Sequence, residues 1–413
     1  MPFFDFHLHP SLKAQFTSPA NEPSPWENIR LRFRDADLLL KLLKCQGIDD
    51  VVDSQASLSQ LVQGGVNLVA IALHPPEAAM MRDGLIQKIA DEEQTKYIDN
   101  DKVDAIGTGD LYFTLLNEEL DHLEQHLEQQ GKKLKLIRHF SEYNARDLNT
   151  VHAILNVEGP HAFYGNRQGK TFPQIMTDFW ENLRQFTEAR NVRIFAMNIA
   201  HLENNDFCNH AFGIQLFKPE PFFPNGTLIS NEGVQLLLKM KEKNILCDIK
   251  HTSLIARQQL YAMGLHGPHW PLVCTHAGLT GIHSQNRYRF FLNNRSFGDG
   301  FLRVKHYKPI GYLQGTSFNA SSINLYDDDV AAIINSGGLI GLSMDQRILG
   351  TPEDGMLSPD YLDEIHEQEV ISPGEKELFR DRSLNMTPAP DEAVLKSDNI
   401  HTNDRQDSDR FHA

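Results

Sequence analysis

Cysteine is scarce in this chain. Four cysteines occur among 413 residues, and no two of them form a Cys-x-x-Cys pair. Cys247 and Cys274 lie within apolar runs, where a cysteine typically behaves as a small buried side chain. The pattern therefore indicates neither a disulfide framework nor a cysteine-based zinc knuckle.

Basic charge and long apolar runs are also lacking. The 39 Lys and Arg residues stand against 55 Asp and Glu, a formal net charge of −16, which disfavours binding along a nucleic-acid backbone. No apolar stretch approaches the ~20 residues that a helix needs to cross a bilayer. The start of the chain, MPFFDFHLHP, has neither the basic nor the long apolar region of a signal peptide. We therefore expect a soluble, cytoplasmic protein without nucleic-acid or membrane partners.

Short strand-like runs alternate with longer helical patterns. The predicted strands are 3–9, 67–74, 153–159, 193–201, 245–251, 271–278 and 339–345. The predicted helices are 35–46, 117–140, 173–190, 231–243 and 327–336. Such alternation predicts a parallel sheet with crossover helices. Seven repeats favour an α/β fold of the (β/α)8 TIM-barrel type over a single open sheet.

Polar residues recur where the predicted strands end. The residues at or near these ends are His9, His74, Glu158, His201, His251, His276 and Asp345. In barrels of this type the active site lies at the carboxyl ends of the strands. One strand-end histidine would indicate little, but the recurrence across strands predicts a site.

The first strand carries His7 and His9, which are two residues apart and therefore point to the same face. Phe4, Phe6 and Leu8 occupy the opposite face, which would pack against the surrounding helices. Two buried histidines satisfied by backbone carbonyls would explain this pattern. We favour a pair of imidazole ligands to one divalent metal ion, since neutral imidazole binds zinc well.

Glu158 follows an apolar run and is predicted to be buried, where a carboxylate requires a cation. An arginine or lysine would meet that need, but two metal ions would meet it better, one on each oxygen. His251 and His276 would then bind the second ion. The predicted metal ligands are therefore His7, His9, Glu158, His251 and His276. Two such ions would lower the pKa of a bridging water and polarise a carbonyl oxygen.

These motifs resemble the membrane (renal) dipeptidase family of the amidohydrolase superfamily, metal-dependent barrel enzymes that cleave dipeptides. The resemblance covers residues 3 to about 345 and rests on DFHLHP, NVEGPHAF, NIAHLENN, NEGVQLLLKMKEKNILCDIKHTS and PLVCTHAGLTGIHSQNRYR. It implies two zinc ions bridged by Glu158. The resemblance also allows a homodimer.

Two further roles come from the resemblance. It implies that His201 contacts the substrate and polarises the scissile carbonyl, and that Arg287, eleven residues after His276, binds the substrate carboxylate. From the residues alone, Arg287 could equally be a solvated loop arginine. His201 could equally be a capping residue or a partner of Glu203.

The chain departs from the family pattern in three places. His7-x-His9 replaces the family's His-x-Asp, and long insertions at 77–150 and 277–338 would shape the substrate pocket. The family's eighth strand, with its aspartate, is not recognisable, so the last strand-helix unit is missing or divergent unless Asp345 substitutes. We predict a barrel over 1–350 and an acidic, partly disordered tail over 351–413.

The sequence thus predicts a binuclear metallohydrolase of the dipeptidase type, in which a metal-bridging hydroxide cleaves a dipeptide or a similar small carboxylate-bearing amide. Two alternatives stay open. One is a metal-binding but non-catalytic homologue, which the unrecognised eighth strand suggests. The other is an amidohydrolase acting on a different class of substrate, since the metal ligands alone do not define the substrate.

Overall fold

The structure is a computed structural model that describes residues 3–29, 56–84, 98–213, 220–298, 300–306, 319–344 and 368–376. The predicted helix 35–46 and Asp345 lie outside these ranges. In the described part of the chain no helix is both long enough and apolar enough to cross a membrane.

Seven parallel strands form the central sheet. They are β1 (Phe3–Leu8), β2 (Val66–Leu73), β5 (Thr150–Val157), β6 (Ile194–Asn198), β7 (Leu246–Asp248), β8 (Leu272–Ala277) and β11 (Leu339–Leu342), paired in this order. Each of the seven predicted strands is confirmed, with ends that differ by a few residues. The sheet curls into a nearly closed barrel of the (β/α)8 type, which confirms the predicted fold class.

The two ends of this sheet approach each other. A Cβ atom added at Gly341 of β11 would lie 1.9 Å from the Thr275 carbonyl oxygen of β8 and 3.2 Å from Phe6 Cβ of β1. Glycine is therefore required where β11 fits between β8 and β1. Among the described residues no eighth strand completes the ladder between β11 and β1.

Helices connect the strands and cover the barrel. They are α1 (Leu58–Gln63), α2 (Ala78–Arg82), α3 (Asn100–Ile106), α4 (Tyr112–Gln125), α5 (Phe172–Arg184), α6 (Asn231–Glu242), α7 (Leu254–Ala262) and α8 (Asp327–Asn335). In α5 the buried residues Met176, Phe179 and Leu183 recur at helical spacing and join the main core. Ser230 and Ser253 cap α6 and α7 through their side chains, so each helix begins directly beyond its serine.

The predicted helix 117–140 is wrong in its second half. Helix α4 ends at Gln125, and a short hairpin of β3 (Glu128–Gln129) and β4 (Lys132–Leu136) follows. In β4 the lysines and leucines alternate, so Leu134 is buried while Lys133 and Lys135 are exposed. This period of two is typical of a strand, and β4 pairs with the start of β5.

A second, antiparallel sheet lies outside the barrel. It consists of β9 (Phe291–Phe297), β10 (Phe301–His306) and β12 (Gln368–Ile371), with β10 in the middle. The first two strands belong to the predicted insertion 277–338. Strand β12 belongs to the segment 351–413, where the sequence predicts a tail, and Val370 and Ile371 are buried. Chain segments on both sides of β11 therefore meet in this sheet.

Candidate metal centre

The predicted site residues lie at the carboxyl ends of the barrel strands. His7 lies in β1 and His276 in β8, each close to the end of its strand. His9, Glu158, His201 and His251 follow β1, β5, β6 and β7 within a few residues. Because parallel strands of a barrel end on the same face, this placement brings the side chains together.

Glu158 is the centre of the cluster. Its side chain is 3% exposed, and five imidazole Nε2 atoms surround the carboxylate. The distances are 3.1 Å from His9 to Oε2 and, to Oε1, 3.2 Å from His251, 3.4 Å from His201, 3.6 Å from His7 and 3.6 Å from His276. The structure therefore brings the other four predicted metal ligands, together with His201, around the buried carboxylate of the fifth, Glu158.

The predicted ligand histidines approach each other in pairs. The Nε2 atoms of His7 and His9 are 3.0 Å apart, and those of His251 and His276 are 3.2 Å apart. Two nitrogen lone pairs at this distance repel each other unless a proton or a metal ion lies close to both. The pairs are the ones predicted for the two ions, and the donor set of imidazoles and a carboxylate fits divalent cations.

A backbone carbonyl orients the imidazole of His9. Its Nδ1 lies 2.9 Å from the carbonyl oxygen of Ala72 in β2, which accepts the ring N–H. The Nε2 atom is then the acceptor nitrogen of the neutral ring, and it faces Glu158. Metal-binding histidines commonly have this arrangement, in which the remote nitrogen donates to a fixed oxygen.

Thr275 orients two further imidazoles. Its hydroxyl donates to Asp248 Oδ2 at 2.6 Å, so toward other groups it is an acceptor. The Nδ1 atoms of His7 and His276 lie 3.2 Å and 3.0 Å from this oxygen. Both rings can therefore donate to Thr275 and present Nε2 to Glu158. Neither Thr275 nor Asp248 belongs to the predicted site.

His251 has an unusual backbone conformation. Its φ is +66°, in the left-handed region that few residues other than glycine adopt. Such a conformation costs about 1–3 kcal/mol and is found mainly where function requires it. Its Nδ1 atom is buried and has no hydrogen-bond partner among the described residues. The backbone at His251 is therefore in an unfavourable conformation while its ring Nε2 faces Glu158.

Burial and Glu158 together set the pKa values of the cluster. Burial lowers the pKa of His7 to about 3 and holds those of His251 and His276 well below the usual histidine value. Burial opposes ionisation of Glu158 as well, but the nearby charge of His201 outweighs it and keeps the pKa low. An ionised carboxylate among neutral imidazoles is the state that binds a metal ion.

His9 behaves differently from these three histidines. Burial would lower its pKa, but the hydrogen bond to Glu158 and the charge of that carboxylate raise it. A proton on His9 therefore stabilises ionised Glu158 from the side of Oε2. A cation bound between the two groups would have the same effect and would displace the proton.

His201 binds a carboxylate on each side of its ring. Nδ1 donates to Glu77 Oε1, and Nε2 lies 3.4 Å from Glu158 Oε1. Burial would lower the pKa of His201, but the charges of Glu77 and Glu158 raise it to about 10. The partner of Nδ1 is thus Glu77 and not Glu203, which was the alternative from the sequence.

Arg287 is buried, with 1% of its side chain exposed, so the solvated loop arginine is not what the structure shows. Its Nη2 donates to Glu369 Oε1 of β12 at 2.9 Å. Burial opposes the charge on Arg287, yet Glu369 raises its pKa above the usual arginine value. The guanidinium is therefore charged and is connected to the antiparallel sheet.

Three functional candidates beside this cluster were missed in the sequence. His74 and Glu77 follow β2 in the run HPPE, and His161 follows β5 in the run EGPH. The sequence contains a pattern that could have identified them, since both runs place a histidine and a glutamate three residues apart directly after a strand. From the sequence, His74 is predicted only as a strand end and Glu77 only as the start of an insertion.

Three groups of side chains have ligand atoms within 4.8 Å of one another. They are His7–Glu158–His276, His74–Glu158–His201 and His74–Glu77–His161. The first contains predicted ligands of both ions, so the division of the ligands between two ions stays a prediction. The third contains none of the predicted ligands.

Comparisons with known proteins gave matches among solved structures. No protein-family model matches the chain, and no curated protein matches it. A metallopeptidase from Rhodobacter sphaeroides, solved with a phosphinate mimic of the dipeptide L-Ala-D-Ala, is 15% identical, with 87% of this chain and 77% of that chain covered and a TM-score of 0.45.

Two further structures are similar at the same level. One is described as a dipeptidase and metallopeptidase and is 14% identical, with coverage of 96% of this chain and 94% of that chain and a TM-score of 0.41. The other, a probable dipeptidase from Pseudomonas aeruginosa, is 11% identical, with coverage of 76% and 68% and a TM-score of 0.37.

Proposed function

We propose that this protein is a binuclear metal-dependent hydrolase that cleaves the amide bond of a dipeptide or a similar small carboxylate-bearing substrate. The observation that carries the proposal is the buried Glu158 carboxylate with five imidazole Nε2 atoms within 3.6 Å. A buried, ionised carboxylate is costly unless cations compensate its charge. Two divalent ions would meet this need.

The residues divide between two ions as follows. His7 and His9 would hold one ion and His251 and His276 the other, with Glu158 between them. The close Nε2 pairs at 3.0 Å and 3.2 Å support this division. Imidazole and carboxylate donors suit zinc among the available divalent metals. When bound, two such ions lower the pKa of a shared water and polarise a carbonyl oxygen.

His201 is the proposed catalytic residue of the chain itself. Its Nδ1 proton is held by Glu77, and its Nε2 is directed at the same side of Glu158 as the ligand imidazoles. With its pKa raised to about 10, the ring carries a proton at neutral pH. A positive N–H donor at this position would stabilise the negative charge that develops on the substrate oxygen.

Arg287 is the proposed anchor of the substrate carboxylate. A guanidinium has five N–H donors and can contact more than one carboxylate, so its pair with Glu369 is compatible with this role. We further propose that the protein acts in the cytoplasm on a small-molecule substrate. A homodimer remains a prediction of the resemblance.

One observation favours a second candidate, a metal-binding protein without catalytic activity. The described residues contain no eighth barrel strand, and therefore no carboxylate supplied from that position. Such a protein would bind the same ions and the same small ligands but would not turn them over.

A substrate panel separates the two candidates. Protein stripped of metal with a chelator should gain hydrolysis of dipeptides when zinc is added, with dipeptides cleaved faster than their C-terminal amides because Arg287 requires a carboxylate. His276→Gln should lower kcat/KM by more than about 100-fold. Mutation of a residue that only hydrogen-bonds to a metal ligand typically costs 10–100-fold in metal affinity or activity, so loss of a ligand itself should cost more.

The matched control is His152→Gln. His152 is also a buried histidine on a barrel strand, with Nδ1 bonded to the Asn67 carbonyl oxygen, but it is not part of the cluster. This variant should retain the wild-type rate. Zinc binding without hydrolysis of any dipeptide or N-acyl amino acid would contradict the enzyme proposal and support the non-catalytic one.

A further inference from the structure

A second group of buried ligand-type side chains lies beside the Glu158 cluster. It consists of His74, Glu77 and His161, which we call the HPPE–EGPH cluster after the two sequence runs that supply them. The three side chains are between 1% and 8% exposed. None of them is among the five ligands proposed for the binuclear centre.

The hydrogen bonds of His74 define which of its nitrogens faces the cluster. Its Nδ1 lies 3.2 Å from the backbone carbonyl oxygen of Glu158, which can only accept, so this nitrogen carries the proton. In the neutral ring Nε2 is then an acceptor. It lies 3.3 Å from Glu77 Oε2, which is also an acceptor. Two acceptors at this distance require a proton or a metal ion close to both.

His161 also has one ring nitrogen bonded to a backbone carbonyl oxygen. Its Nε2 lies 2.8 Å from the carbonyl oxygen of Pro75, so Nε2 carries the proton and Nδ1 is the acceptor nitrogen. A Cβ atom at Gly159 would lie 2.5 Å from this Nδ1. The glycine therefore keeps the space beside Nδ1 clear. Two imidazoles, each with its remote N–H fixed on a backbone carbonyl, are typical of a metal site.

Glu77 directs its two carboxylate oxygens to different neighbours, Oε1 to His201 and Oε2 to His74. Oε1 accepts from His201 Nδ1 and from the backbone N–H of Leu202. Oε2 is buried and has no hydrogen-bond partner among the described residues. With His74 Nε2 as an acceptor, this buried carboxylate oxygen has no donor, which is costly, so the atom indicates either a proton on His74 or a metal ion.

We propose that His74, Glu77 and His161 form a separate binding site for one zinc-class divalent cation. Two imidazoles and one carboxylate are a common zinc ligand set, which leaves a fourth position for water or another small ligand. A proton on His74 would also bring the two acceptors together, but it would give His161 no role in the cluster. Through Glu77 the bound cation would also fix the ring of His201.

Zinc counting on variants tests the site independently of activity. Metal-free protein is saturated with zinc, freed of excess by gel filtration and analysed for zinc per chain. The wild type should hold one ion more than His161→Gln, in which the amide preserves the hydrogen bond to Pro75. The control His152→Gln should match the wild type. Equal zinc contents in the wild type and His161→Gln would overturn the proposal.

Anomalous scattering at the zinc edge from wild-type crystals gives a test that needs no variant. We expect a peak between His74, Glu77 and His161. Zinc-soaked crystals without that peak would refute the site, even if peaks occur at Glu158. A peak at the HPPE–EGPH cluster with none at Glu158 would support this site and contradict the binuclear centre, so the two proposals fail separately.

Discussion

Glu158 has to stay ionised inside the barrel, and its surroundings make this state accessible. Burial alone favours the protonated acid, whereas the charge of His201 favours the carboxylate. Removing an ionised carboxylate from water costs several kcal/mol even after relaxation. A side chain held in this state by imidazoles is suited to bind cations, because a metal ion can replace the protons that otherwise balance its charge.

Another buried histidine provides a pH test that does not depend on metal. His210 is fully buried, with its Nε2 donating to the Phe222 carbonyl oxygen, and burial lowers its pKa to about 4. In the unfolded chain its pKa is the ordinary 6.5. Between these values the unfolded state binds the additional proton. The free energy of unfolding therefore falls as the pH decreases from 6.5 toward 4.

For His210 alone this loss should be roughly 2–3 kcal/mol. Urea denaturation of metal-free protein at pH 7 and pH 4.5 measures it, and the decrease should be smaller in His210→Gln than in the wild type. The exposed His269→Gln is the control and should leave the decrease unchanged. An identical pH dependence in His210→Gln and the wild type would contradict the assignment.

Among the elements, β11 is the last strand of the central sheet, and it approaches β1 where the barrel nearly closes. It pairs with β8 in parallel, and Gly341 allows its backbone to approach Thr275. Thr275 in turn orients His7 and His276 through its hydroxyl. The packing of an apolar strand is thus connected to the geometry of the predicted metal ligands.

Gly341→Ala tests this packing. The new Cβ would lie 1.9 Å from the Thr275 carbonyl oxygen, which is backbone and cannot rotate away. We expect the free energy of unfolding to fall by about 1–3 kcal/mol, as for other overpacked positions, measured by urea denaturation. Gly267→Ala meets open space and should change stability by less than about 0.5 kcal/mol. Equal stabilities of the two variants would show that β11 does not lie against β8.

The strands could be predicted from sequence because their signals are local. Runs such as NLVAIALH and AILNVEG are apolar, bounded and rich in β-forming residues. The hairpin at 128–136 was missed because its two strands are short and because leucines at helical spacing continue to Leu127, just beyond the end of α4. Strand β12 was missed because it lies between residues that predict a tail and pairs with β10, more than 60 residues earlier.

On the scale of the whole molecule, the site is assembled from residues between His7 and His276. The sequence alone predicted that these side chains come together, because each one lies at or near a strand end and strand ends converge in a barrel. It could not predict Thr275 or Asp248. Their roles depend on which hydroxyl or carboxylate reaches a particular ring nitrogen, and that is determined by the three-dimensional packing of separate strands.

The most direct test of the central claim is zinc content per chain in the wild type and in Glu158→Gln, measured together with dipeptide hydrolysis. The matched control is Glu119→Gln, since Glu119 is also a buried glutamate, bonded to Ser11 and to the His74 backbone N–H. We predict that Glu158→Gln lacks two of the wild-type ions and has no turnover. Glu119→Gln should keep the wild-type ion content and the wild-type turnover. A Glu158→Gln protein with wild-type zinc content or wild-type hydrolysis would contradict the binuclear centre.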